Sequence, residues 1–206
     1  VFYPGGGGQP SDRGHILVDR KSIPVVKVKR RDGRIWHMLE GEIPEVGTHV
    51  HGVLDWERRY SLMRTHTAMH ILCGVIWRDY GASVTGGNMQ PLRGRMDFEF
   101  EHMQKELVHD IEEKVNIEVE AARDIEIRTL PREEAFQIPD LIRTKINLLP
   151  EGIKHVRTVD IKGLDLQADG GTHTANTREV GRMSIVDYKS KGKINKRLVI
   201  ALEPVR

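Results

Sequence analysis

Cysteine is almost missing from this chain: Cys73 is the only one in 206 residues, so no internal disulfide can form. That suits a reducing compartment, and a cytoplasmic protein is expected. Long apolar runs are missing too. No stretch approaches the roughly 18 residues that cross a bilayer, so neither a membrane span nor a membrane partner is expected. No charged stretch followed by an apolar one opens the sequence, so no secretion signal is expected in it. Excess charge is small: 32 Lys and Arg against 30 Asp and Glu leave +2, which does not by itself mark a nucleic-acid protein. There is no internal repeat and no low-complexity tract beyond Gly5, Gly6, Gly7 and Gly8. That glycine run lacks the lysine and helix context of a nucleotide-binding P-loop, which excludes an ATPase reading.

What is present is enough for one large core or two small ones. The first 56 residues read as β-rich. Residues 25–29 and 35–39 flank the turn Arg31-Asp32-Gly33, a hairpin signal. Residues 15–19 and 48–56 add short strands, and together these suggest a small barrel. The pattern changes near residue 57. From there to residue 80, Leu62, Met69, Leu72, Val75 and Ile76 fall at helical spacing, and Gly81 closes the helix. A strand over 95–100 follows. A second amphipathic helix spans 103–122, with Leu107, Ile111, Val115 and Val119 on one face. A strand over 125–130 leads to a short helix beginning at Pro131. Strands over 155–161, 180–188 and 197–202 complete the chain. The expected architecture is α+β. A small N-terminal β-barrel-like domain over residues 1–56 precedes an α+β domain over 57–206, whose core is two helices and β-sheet.

Charge is clustered. Lys27, Lys29, Arg30, Arg31 and Arg34 form one basic segment; Lys189, Lys191, Lys193, Lys196 and Arg197 form another. Either these are solvated hairpins whose lysines protect sheet edges, or they meet phosphates.

His66 and His70 lie four apart, which on a helix puts both imidazoles on one face, where they can share an ion. Ten histidines can produce such a pair by chance, so it needs support. The run Asp169-Gly170-Gly171-Thr172-His173 supplies it. Two glycines permit a tight loop, so a carboxylate and an imidazole could turn to one point. Zinc accepts carboxylate oxygen as well as thiolate sulfur. Cys73, at i+7 from His66, is a rival ligand. It is about 10 Å along the helix axis from His66, too far for three ligands of one straight helix to share an ion, and reads as a small buried residue.

At these residues a family resemblance appears. The opening Phe2-Tyr-Pro-Gly-Gly-Gly-Gly-Gln-Pro-Ser-Asp-Arg-Gly14, the helix motif His66-Thr-Ala-Met-His70, the strand Arg95-Met-Asp-Phe98 and the segment Asp169-Gly-Gly-Thr-His-Thr-Ala-Asn-Thr177 occur in this order. The ordered set resembles the alanyl-tRNA editing proteins, of the medium-length free-standing type, and the editing domain of alanyl-tRNA synthetase. No aminoacylation domain is expected beside them. The resemblance implies one zinc ion held by His66, His70, the residue at 169, and His173. Asp169 stands where the family usually has cysteine. It further implies hydrolysis of the aminoacyl ester of mischarged tRNA-Ala, with seryl esters first and glycyl esters second as substrates. Gly170, Gly171 and Thr172 are then candidate oxyanion or ribose contacts. Thr85, Asn88, Gln90 and Gln9 are candidate substrate contacts. Gly5 to Gly8 and Arg95 are candidate tRNA contacts. Two rivals stand beside this reading: a threonyl-tRNA type of editing domain, and a tRNA-binding module made inactive by Asp169.

Overall fold

The computed structural model describes residues 2–100, 102, 104–143 and 152–204. Residues 1, 101, 103, 144–151 and 205–206, which the expected helix and domain ranges include, lie outside the described residues. The chain is α+β, built from antiparallel sheets and helices. No described helix is long and apolar enough to cross a membrane.

Four strands come first: β1 (Gly14–Val18), β2 (Lys21–Arg31), β3 (Arg34–Leu39) and β4 (His51–Leu54). They form one antiparallel sheet in the order β3-β2-β1-β4. Asp32 and Gly33, both at positive φ, make the turn of the expected hairpin. Phe2, Ile16, Ile23, Val25 and Val28 fill one face as a cluster of their own. Closure into a barrel would require β3 to pair with β4. No such pairing occurs among the described residues, so the sheet is open. β4 has only four residues and follows a long strandless connection, which leaves little edge to pair.

Asp55 caps the next element, accepting a hydrogen bond from the Arg58 backbone N–H at 3.1 Å. This is α1 (Trp56–Tyr80), ended by Gly81 at φ 62°. The apolar spacing in the sequence describes an amphipathic helix. The structure encloses it instead: every residue from Arg64 to Ile76 is buried. Polar residues in this stretch must therefore find partners inside the protein. Arg64 does so through the backbone carbonyls of Val180 and Glu203, each 2.7 Å away.

The main core packs α1 and α2 (Lys105–Glu120) against a second sheet. That sheet has the order β10-β11-β6-β5, from β5 (Val84–Gln90), β6 (Arg93–Glu99), β10 (Met183–Ser190) and β11 (Asn195–Leu202). On α2 the expected stripe is buried through Ile111, Val115 and Val119, with Val108 beside it. Residue 180, expected to open a strand, instead ends a short 3-10 helix over Thr177–Val180, because Gly181 at φ 71° turns the chain before β10. Gly94 exists for packing: a Cβ there would stand 2.9 Å from Met69 Sδ.

A third sheet, β7-β8-β9, comprises β7 (Ile125–Pro131), β8 (His155–Ile161) and β9 (Asp165–Ala168), with the short α3 (Arg132–Ala135) at its end. Gly74, inside α1, lets β9 approach. A Cβ at Gly74 would lie 2.9 Å from Leu164 Cγ and 3.0 Å from Asp165 Cβ. A mid-helix glycine costs about 1 kcal/mol relative to alanine, and here it brings Asp165 within reach of His70, one helical turn earlier.

Candidate functional site

Two elements deliver four donors to one point. Helix α1 supplies His66 and His70; the loop after β9 supplies Asp169 and His173. Their donor atoms all lie within 4.8 Å of one another, and all but Asp169 are buried. Asp169 Oδ2 stands 3.2 Å from His66 Nε2, 3.6 Å from His70 Nε2 and 3.6 Å from His173 Nε2. Around an ion with bonds of 2.0–2.1 Å, tetrahedral donors are separated by about 3.3–3.4 Å, close to what is seen.

The hydrogen bonds around this group decide what its inner atoms are. Gln9 Oε1 accepts from the Thr172 backbone N–H at 2.9 Å and lies 3.0 Å from His66 Nδ1. An amide oxygen only accepts, so His66 Nδ1 carries the proton and donates it. Asp165 Oδ2 lies 2.9 Å from His70 Nδ1, so that nitrogen donates too. The Nε2 atoms of both neutral rings are then bare lone pairs, aimed at a carboxylate oxygen. Two lone pairs facing an anion repel unless a cation lies between them, either a proton taken up by His70 or a metal ion. Asp169 Oδ2 and both ring nitrogens of His173 are buried without a hydrogen-bond partner among the described residues. This arrangement fits a divalent metal ion with N₃O ligation.

The electrostatics agree. Burial opposes charge on His70, but Asp165 and Asp169 outweigh it and raise its pKa to about 10. Burial lowers His66, and lowers His173 well below the ordinary imidazole range. Burial disfavours the Asp169 carboxylate, yet His66 and His70 hold it far below the usual carboxylate range. Of the three imidazoles only His70 thus favours a positive charge, while Asp169 keeps its negative one.

Three residues that the sequence reading did not single out hold the donors in place. Asp165, with a side chain 0% exposed, fixes the His70 ring. Gln167 Nε2 donates to Asp165 Oδ2 at 2.6 Å and to Cys73 Sγ at 3.3 Å. Cys73 is buried, and burial pushes its thiol pKa up, so it is a packed residue and not a ligand. Arg157 Nη1 donates to the carbonyls of Asp169, at 2.9 Å, and Gly170, at 2.7 Å. Tyr3 places its hydroxyl 3.7 Å from where a Cβ on Gly170 would stand. A signal for two of them was present: Asp165, Gln167 and Asp169 alternate, which on a strand puts them on one face. Asp165→Asn is expected to weaken metal binding about tenfold, the low end for a partner behind a ligand, because asparagine can still accept the His70 proton. Chelator competition measures it, and unchanged affinity would remove Asp165 from the site.

The glycine-rich opening reaches this centre. A Cβ on Gly7 would stand 3.7 Å from Asp169 Oδ1, and one on Gly8 3.3 Å from the Gly87 carbonyl of β5. Gln9 is 3% exposed, and its amide is engaged at both ends, Nε2 donating to Thr172 Oγ1 at 2.9 Å. Gly170, Gly171 and Thr172 form the loop between the two ligands Asp169 and His173. Thr85, Asn88, Gln90 and Arg95 lie on β5 and β6, and the Asn88 Cα stands 3.7 Å from where a Cβ on Gly8 would be. In the β5–β6 register, Met89 and Gly94 face α1, so Asn88, Gln90 and Arg95 face away. The Thr85 hydroxyl donates to Asn195 Oδ1 at 2.9 Å.

Residues 156–199 match the family model described as the threonyl and alanyl tRNA synthetase second additional domain. The chain is 38% identical over 210 aligned residues to the alanyl-tRNA editing protein AlaX-M of Saccharolobus solfataricus, covering 99% of this chain and 86% of that protein. It is 34% identical to the AlaX-M protein of Methanosarcina barkeri over 98% of this chain and 86% of the relative. It is also 36% identical to the alanine–tRNA ligase of Thermoplasma acidophilum, over 90% of this chain but 21% of that enzyme. The chain belongs to the alanyl-tRNA editing protein family.

Proposed function

We propose that this chain is an aminoacyl-tRNA hydrolase that clears mischarged tRNA-Ala, releasing serine, and also glycine, from the terminal ribose ester. One zinc ion, held by His66, His70, Asp169 and His173, belongs to this reading. The observation that carries it is the convergence of these four donors, three of them buried, from two separate elements. When bound, zinc supplies Lewis-acid character at this point.

The chain's own groups do the rest. Gln9 and Asp165 hold the Nδ1 protons of His66 and His70, so both Nε2 atoms aim inward. Arg157 takes up the Asp169 and Gly170 carbonyls, which orients the turn whose Gly170 and Gly171 amides we assign to the developing oxyanion or the ribose. The Thr172 hydroxyl accepts from Gln9 and keeps its own proton to donate. We assign it to the substrate serine hydroxyl. Alanine lies between glycine and serine in size, so a pocket cannot exclude it by volume alone. A polar contact to the serine hydroxyl discriminates more strongly than one methylene can. Gly5 to Gly8 are assigned to close passage of the tRNA backbone. Thr85, Asn88, Gln90 and Arg95, on the outward sheet face, are assigned to the tRNA chain beyond its end. We place the division between an N-terminal β unit and the editing unit near residue 57; the separate apolar clusters of the first and second sheets support it.

Metal content of the purified protein, measured beside serine release from seryl-tRNA-Ala, tests the reading. One zinc per chain with chelator-sensitive release is expected. A metal-free protein that binds tRNA and releases nothing would make it a binding module. Faster release from seryl-tRNA-Thr would make it a threonyl-type editor.

A further inference from the structure

The outward face of the first sheet is not used by the site just described, and its composition is unusual. Strand alternation identifies it. Val25 and Val28 are buried, and the His37 ring meets Phe2 edge-on with centroids 5.3 Å apart, so the residues between them point outward. The β2–β3 register then sets three outward pairs: Lys27 opposite Met38, Lys29 opposite Trp36, and Arg31 opposite Arg34. No Asp or Glu stands in any of the four strands. Asp32 lies in the turn, 3.4 Å from Arg31, with both side chains more than four-fifths exposed.

Two features of this face are costly without a partner. Arg31 and Arg34 are like charges directly across a strand pair, a destabilising arrangement. Trp36 leaves 51% of its surface in water, with Met38 46% exposed beside it. A polyanion with exposed flat rings relieves both costs, since phosphates neutralise the cations and a base can stack on the indole. The hairpin also stands beside the donor cluster. The Val28 backbone N–H donates to Ser11 Oγ at 3.3 Å, two residues beyond Gln9.

We propose that the outward face of the β2–β3 hairpin binds the tRNA chain, with phosphates against Lys27, Lys29, Arg31 and Arg34 and an unpaired base stacked on Trp36. This rests on the editing function proposed above and adds a surface to it. The surface recognises any RNA strand by charge and stacking, and places the tRNA by its distance from the site.

Filter retention of unacylated tRNA-Ala across a salt series tests it, alongside zinc content and serine release from the seryl ester of adenosine. Trp36→Ala is expected to weaken tRNA retention roughly tenfold. The double variant Lys29→Ala/Arg31→Ala is expected to flatten the slope of log affinity against log salt by about 1.5. Zinc content, thermal midpoint and hydrolysis of the small ester stay at wild-type values in both. Unchanged affinity and slope in both variants would overturn the proposal while leaving the editing function intact. So would a Trp36→Ala variant that turns a dimer into a monomer in sedimentation without changing tRNA retention, because the face would then join two copies. A wild-type protein that retains no tRNA would overturn both readings.

Discussion

Alanine at Gly171 is expected to empty the site. Gly171 sits at φ +68°, and a Cβ there would stand 2.5 Å from both Cε1 and Nδ1 of His66 and 2.7 Å from Gln9 Oε1. Neither neighbour can yield cheaply. His66 is fixed by the rigid α1 backbone, and Gln9 already bonds Thr172 through both ends of its amide. The left-handed backbone costs about 1–2 kcal/mol for a residue with a Cβ, and overpacking adds about 1–3 kcal/mol. Most of that strain is relieved by moving the 169–173 loop, which carries two of the four donors. Gly171→Ala is therefore expected to lose stoichiometric zinc and at least about 100-fold in serine release, with the helical circular dichroism retained. Metal analysis and the release assay check it. A variant that keeps both zinc and activity would show that this loop does not hold the metal in the form described.

His70→Ala carries the second large effect. Zinc affinity at a four-ligand site amounts to about 10–16 kcal/mol, and one ligand in four is worth about 2.5–4 kcal/mol of that, roughly 100- to 1000-fold. The substitution also leaves Asp165 buried without its imidazole partner. Metal binding and serine release should fall together, as followed by chelator titration and rate on one preparation. Retained zinc with full activity would sink the assigned ligand set. The companion Asp169→Cys keeps a ligand in place and offers a softer one. It is expected to hold zinc more tightly and to stay active. Lost metal would mean that residue 169 is not a ligand.

The sequence exposed this centre unusually well, for a definable reason. A helix spacing of four and a Gly-Gly turn are local rules, so His66, His70, Asp169 and His173 could be picked out before any fold was known. Arg157 could not, and Asp165 showed only as an alternation with Gln167 and Asp169. Asp165 reaches His70 because Gly74 admits β9, and Arg157 reaches the Asp169 and Gly170 carbonyls from the neighbouring strand β8, neither of which a local pattern states. Helix α1 shows the same divide. Its ends are set by Asp55 and Gly81, but its burial on all sides comes from α2, the second sheet, the 3-10 turn at Thr177–Val180 and β9 packing around it. The first sheet failed to close for a tertiary reason as well: strand signals say where extended chain lies, not which edges meet. Thr85, Asn88 and Gln90, candidate substrate contacts by sequence, lie on an edge strand whose alternation points Asn88 and Gln90 to the face opposite α1.

Gln9 belongs to the stretch that precedes the first strand, yet it sets the tautomer of a histidine 57 positions later and pins the loop that follows it. The editing centre thus has no boundary at residue 57. A gene fragment beginning at helix α1 would encode every proposed metal ligand and still leave His66 with no acceptor for its Nδ1 proton. Its ring could then turn over and exchange one nitrogen for the other. Shuffling this module between proteins therefore requires the opening dozen residues to travel with the helix.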